Sequence, residues 1–295
     1  MFVWLTGSGK YKMKNNHTQP SNIAILVHTC DRYSFLYPGF SYFFNQNWDF
    51  NTHCQYYFAT EEVSVDLPHF VNIKSGRGEW ADRLRHLLQN VITEQYVIYL
   101  QEDMWLNKPI SAAFFNKLFQ MVNQQQWKQV KLTSADIYKT HATPYYIEGF
   151  NVSLLDNAQS GYLMSHQATL WDREFLIAQL HKGEHPWRNE RKGTKRLKKL
   201  NPEIYQVDYF AENGQSPINT NQQHISQSEY HTVSANSMLQ ANTLPYIETL
   251  QQFGNPEEQT YAAALLNHYQ NQLTHDGKPK PRKEDIFKKI KKLFK

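Results

Sequence analysis

The sequence predicts an α/β fold, a mainly parallel sheet flanked by helices, followed by a basic amphipathic C-terminal helix. Three observations lead there. Ile23–Val27 and Tyr96–Leu100 are short, unbroken apolar runs, the pattern of strands buried on both faces. Between them, Trp80, Leu84, Leu87, Leu88 and Val91 recur at helical spacing. Strand and helix signals then alternate, and consecutive parallel strands need such crossovers.

Taken in order, Ile23–His28 is the first strand. It runs into the polar turn Thr29-Cys30-Asp31-Arg32 and an aromatic helical segment. Gln55–Thr60 reads as a strand ending at Glu61-Glu62, and Phe70–Ile73 as a short third one. Ser75–Glu79 is a glycine-containing loop before the helix Trp80–Ile92. The strand Tyr96–Leu100 ends at Gln101-Glu102-Asp103. Ser111–Gln126 reads as a helix, Val130–Thr133 as a strand, and Thr140–Asn157 as an aromatic loop. Gly161–Leu170 reads as a strand and Asp172–His181 as a helix. Gly183–Trp187 is a turn leading into a basic segment, and Glu203–Phe210 is strand-like. The Gln/Asn/Ser-rich Asn213–Asn242 is expected to be irregular, and Glu257–Gln272 helical.

The end of the Tyr96–Leu100 strand carries the chemistry. Burying an unpartnered carboxylate costs several kcal/mol, so Glu102 and Asp103 belong just past the buried run. In open α/β sheets the carboxyl ends of the strands are where ligands bind, and a carboxylate pair there suits a divalent metal holding a diphosphate. The plainer alternative is a strand end with solvated acids.

Composition narrows the class. A chain of 295 residues accommodates one α/β domain with extensions. Two cysteines, Cys30 and Cys54, are too few for a disulfide scaffold and fit a reducing compartment. No run approaches the ~18 apolar residues of a transmembrane helix. Net charge is +4, but Lys278–Lys295 holds nine Lys/Arg and two acids, which leaves the rest of the chain at −3. That distribution argues against a general nucleic-acid binder. The expected organisation is a disordered lead over 1–20, a single domain over 21–275, and a membrane-surface tail over 276–295. In the tail Ile286, Phe287, Ile290, Leu293 and Phe294 share one helical face and lysines the rest, which suits an anionic membrane.

The order strand, Asp-Arg turn, helix, strand, strand, loop, helix, strand, acids resembles the nucleotide-sugar half of GT-A fold glycosyltransferases. Gly78–Leu106 and Gln167–Glu190 further resemble bacterial glycosyltransferases of surface-polysaccharide gene clusters. The resemblance spans roughly Asn22–Phe210. It implies a GT-A-like domain that moves a sugar from a nucleotide-sugar donor to a lipopolysaccharide, capsule or other surface-glycan acceptor. It implies donor contacts at Asp31 and Arg32, at Asp82 and Arg83, and at Glu102 and Asp103, with Asp103 the ligand for Mn or Mg. One departure is plain: Trp105 stands where the second acid of an Asp-x-Asp motif would be. A metal-independent site would instead set Arg77 or Arg83 against the leaving diphosphate.

An inverting transfer needs a base for the acceptor hydroxyl. Glu184, on the loop pinned by Pro186 and Trp187, is the first candidate and Glu190 the second. Trp187 and Arg188 are candidate acceptor contacts. Arg188–Lys199 holds seven Lys/Arg and one acid, either a seat for a phosphate-bearing acceptor or a solvated basic helix. The expected partners are a nucleotide sugar, a lipid-linked or oligosaccharide acceptor and an anionic membrane, with no nucleic acid. The expected place is the cytoplasmic face of the membrane. Two rivals stay open, a nucleotidyltransferase acting on sugar phosphates and a non-enzymatic, membrane-recruited carbohydrate-binding protein. The first would want a glycine-rich loop after the first strand, where this chain has His28-Thr29-Cys30-Asp31-Arg32.

Overall fold

The computed structural model describes residues 21–214 and 227–279. The lead over 1–20 and the amphipathic helix expected at Asp285–Lys295 lie outside the described residues. In chain order the elements are β1 (Ile23–His28), α1 (Tyr37–Asn47), β2 (Gln55–Thr60), β3 (Val71–Lys74), α2 (Trp80–Asn90), β4 (Tyr96–Leu100) and β5 (Met104–Leu106). There follow α3 (Ala112–Gln125), β6 (Gln129–Thr133), β7 (Thr140–Ile147), β8 (Phe150–Leu155), β9 (Thr169–Asp172), α4 (Arg173–Gln179) and α5 (Pro186–Leu200). The chain continues with β10 (Tyr205–Glu212), β11 (Ser228–Thr232), a two-stranded ribbon β12 (Ser234–Ala235) and β13 (Met238–Leu239), then α6 (Leu244–Phe253) and α7 (Pro256–Gln270).

Eleven strands form one sheet, along the path β3-β2-β1-β4-β9-β6-β10-β11-β5, with β8 on β10 and β7 on β8. The first four strands are parallel, and so are β6, β10 and β11. The antiparallel strand β9 joins the two parallel sets. Strand alternation decides which side each residue serves. Ile23, Ile25 and Val27 face a core with α1, α3, α6 and α7, whereas Ala24 and Leu26 face a second core with α2, α4 and α5. Helices therefore cover both faces, as an all-buried β1 and β4 require. The order 3-2-1-4 puts a topological switch point between β1 and β4, and a crevice opens at their carboxyl ends.

Three stretches depart from expectation. Within Asn213–Asn242, expected to be irregular, Ser228–Thr232 is β11, paired with β10 and β5, and the β12–β13 ribbon follows; this order comes from pairing with distant strands, which a Gln/Asn/Ser-rich composition does not signal. Thr140–Asn157 is not a loop but the hairpin β7–β8. Its two-residue turn, Glu148-Gly149, has φ of 45° and 98°, and positive φ at both positions is what a tight hairpin turn asks for. Conversely, of the strand expected over Gly161–Leu170 only Thr169 and Leu170 are strand, the start of β9. The buried stretch before it is irregular because side chains answer its backbone. Gln129 donates to the Leu163 carbonyl at 2.9 Å, Thr194 accepts from Met164 N at 3.2 Å, and Glu190 accepts from His166 N at 3.1 Å. Gly193 lets α5 lie against this stretch, since a Cβ there would sit 2.6 Å from Met164.

Candidate active site

A cleft of about 960 Å³ lies over the β1–β4 switch point, closed on its far side by the start of α5 and the β11–β12 segment. Its floor begins with the acid turn. Gln101–Asp103 joins β4 to β5, and the turn is braced twice: Met104 N donates to the Gln101 carbonyl at 3.2 Å, and Val233 N to that of Asp103 at 2.9 Å. Glu102 and Asp103 both line the cleft. Burial, and for Glu102 also the charge of Asp103, raises both carboxyls above the usual range, Asp103 to about 7. Asp103 Oδ1 is buried with no hydrogen-bond partner.

Trp105, in the place of the expected second acid, is a core residue. It is fully buried, its indole N–H donates to the Glu102 carbonyl at 3.1 Å, and its ring stacks on Phe43. Among the described residues no group of three or more His, Cys, Asp or Glu side chains could hold a metal ion by itself. The unanswered Asp103 oxygen beside Glu102 does fit a different arrangement. Magnesium is commonly held by one or two carboxylates together with substrate phosphates and water.

Arg83, on α2, is buried and fully engaged. Its guanidinium donates to Ser75 Oγ at 2.9 Å and to the Thr29 carbonyl, and pairs with Glu61 at 3.2 Å. Arg32 also lines the cleft, with its guanidinium over the Tyr33 ring. The other donor-site candidates lie elsewhere. The Asp31 carboxylate accepts the backbone N–H groups of Glu61, Glu62 and Val63, while Glu61 accepts that of Asp31, so the pair locks the ends of β1 and β2 together. Arg77 is 80% exposed and paired with Glu62. Asp82 accepts from Gly183 N at 3.1 Å and holds the α4–α5 loop to α2.

The structure does not bring Glu184 into the cleft. Its carboxylate takes both arms of the Arg196 guanidinium at 3.0 Å and the Asn189 amide at 2.8 Å. Burial alone would raise its pKa, but these bonds outweigh burial and hold it below the ordinary value. A carboxylate so engaged is a poor proton acceptor, and Glu184 is not among the residues that line the cleft. Glu190, one turn into α5, does line the cleft. Burial raises its pKa against the opposing pull of the His166 N–H and Lys131. Trp187 stands at the rim, 59% exposed; Arg188 is exposed on α5 outside the cleft lining.

Several cleft residues escaped sequence reasoning. His28 ends β1 on the α2 side and both its ring nitrogens are buried without partners; burial first, then the charges of Arg83 and His166, push its pKa well down. His166 is likewise pushed down by burial, to about 3, and its Nε2 has no partner. Trp80 lies between them, its ring centroid 5.9 Å from His28 and 4.3 Å from His166. The period-2 pattern of β1 was the one available signal for His28; His166 sits in irregular backbone and had none. Behind Glu190, Lys131 is fully buried with its Nζ unpartnered, 5.0 Å over the Tyr138 ring, and burial brings it down to about 7.

Neither a protein-family model nor a curated protein sequence matches the chain. Solved structures similar to it include a putative nucleotide-diphospho-sugar transferase from Desulfovibrio desulfuricans G20, at 11% identity over 63% of this chain and 79% of that one, with a TM-score of 0.38. S. aureus TarS is similar at 10% identity over 83% of this chain and 43% of that one, TM-score 0.42. A UDP-glucose pyrophosphorylase complexed with UDP-glucose is similar at 6% identity over 63% and 89%, TM-score 0.37.

Proposed function

We propose that the protein is a glycosyltransferase that moves a sugar from a nucleotide-sugar donor to a surface-glycan acceptor in the cleft above β1 and β4. The observation that carries this reading is Asp103: a buried carboxylate oxygen with no partner, beside a second carboxylate, at the ligand-binding edge of the sheet. Such an oxygen is costly unless something binds it. Asp103, with Glu102 beside it, would hold Mn or Mg, and the ion would offset the charge of the departing diphosphate. The cationic alternative has less in its favour, because Arg83 is spent on Glu61, Thr29 and Ser75, and Arg77 faces solvent.

The remaining roles follow from position. Glu190 is the base for the acceptor hydroxyl, which makes the transfer inverting; burial raises its pKa and makes it a stronger proton acceptor than an ordinary carboxylate. His28 and His166, both neutral, offer free ring nitrogens to donor hydroxyls. Trp187 gives an acceptor sugar an apolar platform at the rim. No described helix is long and apolar enough to cross a membrane. We assign attachment at the cytoplasmic membrane face to the basic tail, so deleting Lys283–Lys295 should release the protein from anionic vesicles.

The test is donor binding. UDP-, GDP-, CMP- and dTDP-sugars are screened by thermal shift with and without Mg or Mn, on wild-type protein and Asp103→Asn. Stabilisation by one nucleotide class that needs the ion and Asp103 supports the reading. Absence of any shift across the four classes sinks it.

A further inference from the structure

The acid-free face of α5 carries more charge than its contacts use: Lys198 donates to the Ala158 carbonyl at 2.9 Å and the charge of Arg191 acts on Glu190, but no carboxylate pairs with any of its cations among the described residues. At 100° per residue, Arg188, Arg191, Lys192, Lys195, Lys198 and Lys199 fall within an arc of roughly 120°, and they extend over about 17 Å of helix. All six are exposed, and none forms a salt bridge among the described residues. Arg188–Lys192, Arg191–Lys195 and Lys195–Lys199 are like charges four residues apart, an arrangement that weakens a helix. The opposite face, with Asn189, Gly193 and Leu197, is buried against the domain.

We infer that this stripe is the seat of a linear anionic glycan, the acceptor chain, whose end enters the cleft past Trp187. The inference rests on the sugar-transfer reading above and names its acceptor class. Charge complementarity selects a polyanion. Continuity selects an acceptor: α5 begins at the cleft, His185, Pro186, Trp187 and Glu190 line it, and the stripe starts at the very next residue, Arg188. A membrane fits less well. A helix lying in a bilayer surface presents a continuous apolar face to the lipid; here Leu197 is turned inward, the stripe itself has no apolar residue, and only Trp187 and Leu200, at the two ends of α5, are exposed large apolar side chains. Neighbouring cations on one helix face lie about 5–6 Å apart, a spacing that a chain with regularly placed phosphate or carboxylate groups can follow.

The test uses full-length wild-type protein and the triple variant Lys192→Gln, Lys195→Gln, Lys199→Gln. Both are titrated with end-labelled polyphosphate, with uncharged dextran as control, and with phosphatidylserine vesicles; donor binding is followed by thermal shift in the same samples. The C-terminal lysines are present in both proteins, so only the difference counts. Polyphosphate should bind the wild type and dextran should not. The variant should lose roughly tenfold or more in polyphosphate affinity near 0.1 M salt and show a shallower salt dependence, as fewer counterions are released. Its donor binding should be unchanged, which also establishes that it is folded. Equal polyphosphate affinity in the two proteins overturns the inference. So does a variant that loses vesicles but keeps polyphosphate, because the stripe would then face a membrane. If no donor binds the wild type while polyphosphate binding still depends on the stripe, the stripe stands and the sugar-transfer reading falls.

Discussion

The corner between α4 and α5 and the turn after β4 each hold a carboxylate with a buried oxygen, Glu184 and Asp103, and they treat it in opposite ways. Glu184 at the corner receives a bidentate guanidinium and an amide, and its pKa goes down. Asp103 at the turn keeps one oxygen unbonded against a neighbouring acid, and its pKa goes up. The first is a closed structural contact. The second is a carboxylate whose Oδ1 the fold leaves unpartnered, open to whatever enters the cleft. Burial and acid chemistry are common to both, so neither marks function; what separates them is whether the fold has supplied the partner.

The harshest way to break this comparison is to add an unanswered carboxylate away from the cleft. Trp105→Asp restores the spacing of an Asp-x-Asp motif but removes a fully buried indole, a loss of about 3–5 kcal/mol for truncation alone, and buries a charge among Phe43 and Tyr246. The variant should fail to fold cooperatively, as read by its thermal melt. A folded Trp105→Asp with gained Mn affinity would show that the core tolerates what the comparison forbids.

Next in size is Asp103→Asn. Transfer should fall by roughly 10²–10³-fold, the scale of losing one electrostatic contact to the transition state. The melting temperature should hold or rise, since a poorly solvated charge is gone. Wild-type transfer rates, or rates indifferent to a chelator, would remove Asp103 from the ion.

Glu184→Gln should do the reverse. It strands the Arg196 charge, at a cost near the low end of the ~3–5 kcal/mol seen when a buried pair loses one partner, because Arg196 is 23% exposed. Activity per folded molecule should stay within about twofold, well short of the 10²–10⁴-fold that removing a general base costs. Urea titration and kinetics on the same sample separate the two effects.

The smallest and sharpest test is pH. Glu184 has a folded pKa below its ordinary 4.5, so it contributes stability above that value and loses it as pH falls. Asp103 runs from an ordinary 3.8 up to about 7, so between those values the folded state holds the extra proton and stability declines as pH rises. The melting difference between wild type and Glu184→Gln should shrink below about pH 4.5. That between wild type and Asp103→Asn should open towards neutrality, with the variant ahead.

Much of this was written locally in the chain. β1, β2, β4, α2, α3 and α7 follow from runs and periods a few residues long, and Ser111, Asp172 and Asn255 mark helix starts by capping side chains. The acid turn was legible because a buried strand cannot continue into two carboxylates. The β7–β8 hairpin was hidden because β7 is exposed along most of its length and so lacks an apolar stripe. The engagement of Glu184 was not legible for a longer-range reason. Its partner Arg196 is twelve residues on, reached only once α5 folds back over the corner. His166 depends on an irregular buried stretch that exists because Gln129, Thr194 and Glu190 answer its backbone, and no local pattern announces such a stretch.

Arg83 has a kinetic consequence. One guanidinium ties the segments just past β1, β2 and β3 through Thr29, Glu61 and Ser75, so this wall of the cleft is held together without any ligand. A lysine, with one nitrogen, could not keep all three ties in that fixed fork. On the proposed sugar-transfer reading, an incoming nucleotide has little of this wall to order, and ordering cost is a main reason recognition is slow or weak elsewhere. Donor capture should follow single-exponential, concentration-proportional kinetics, with no slow closing phase contributed by this wall of the cleft.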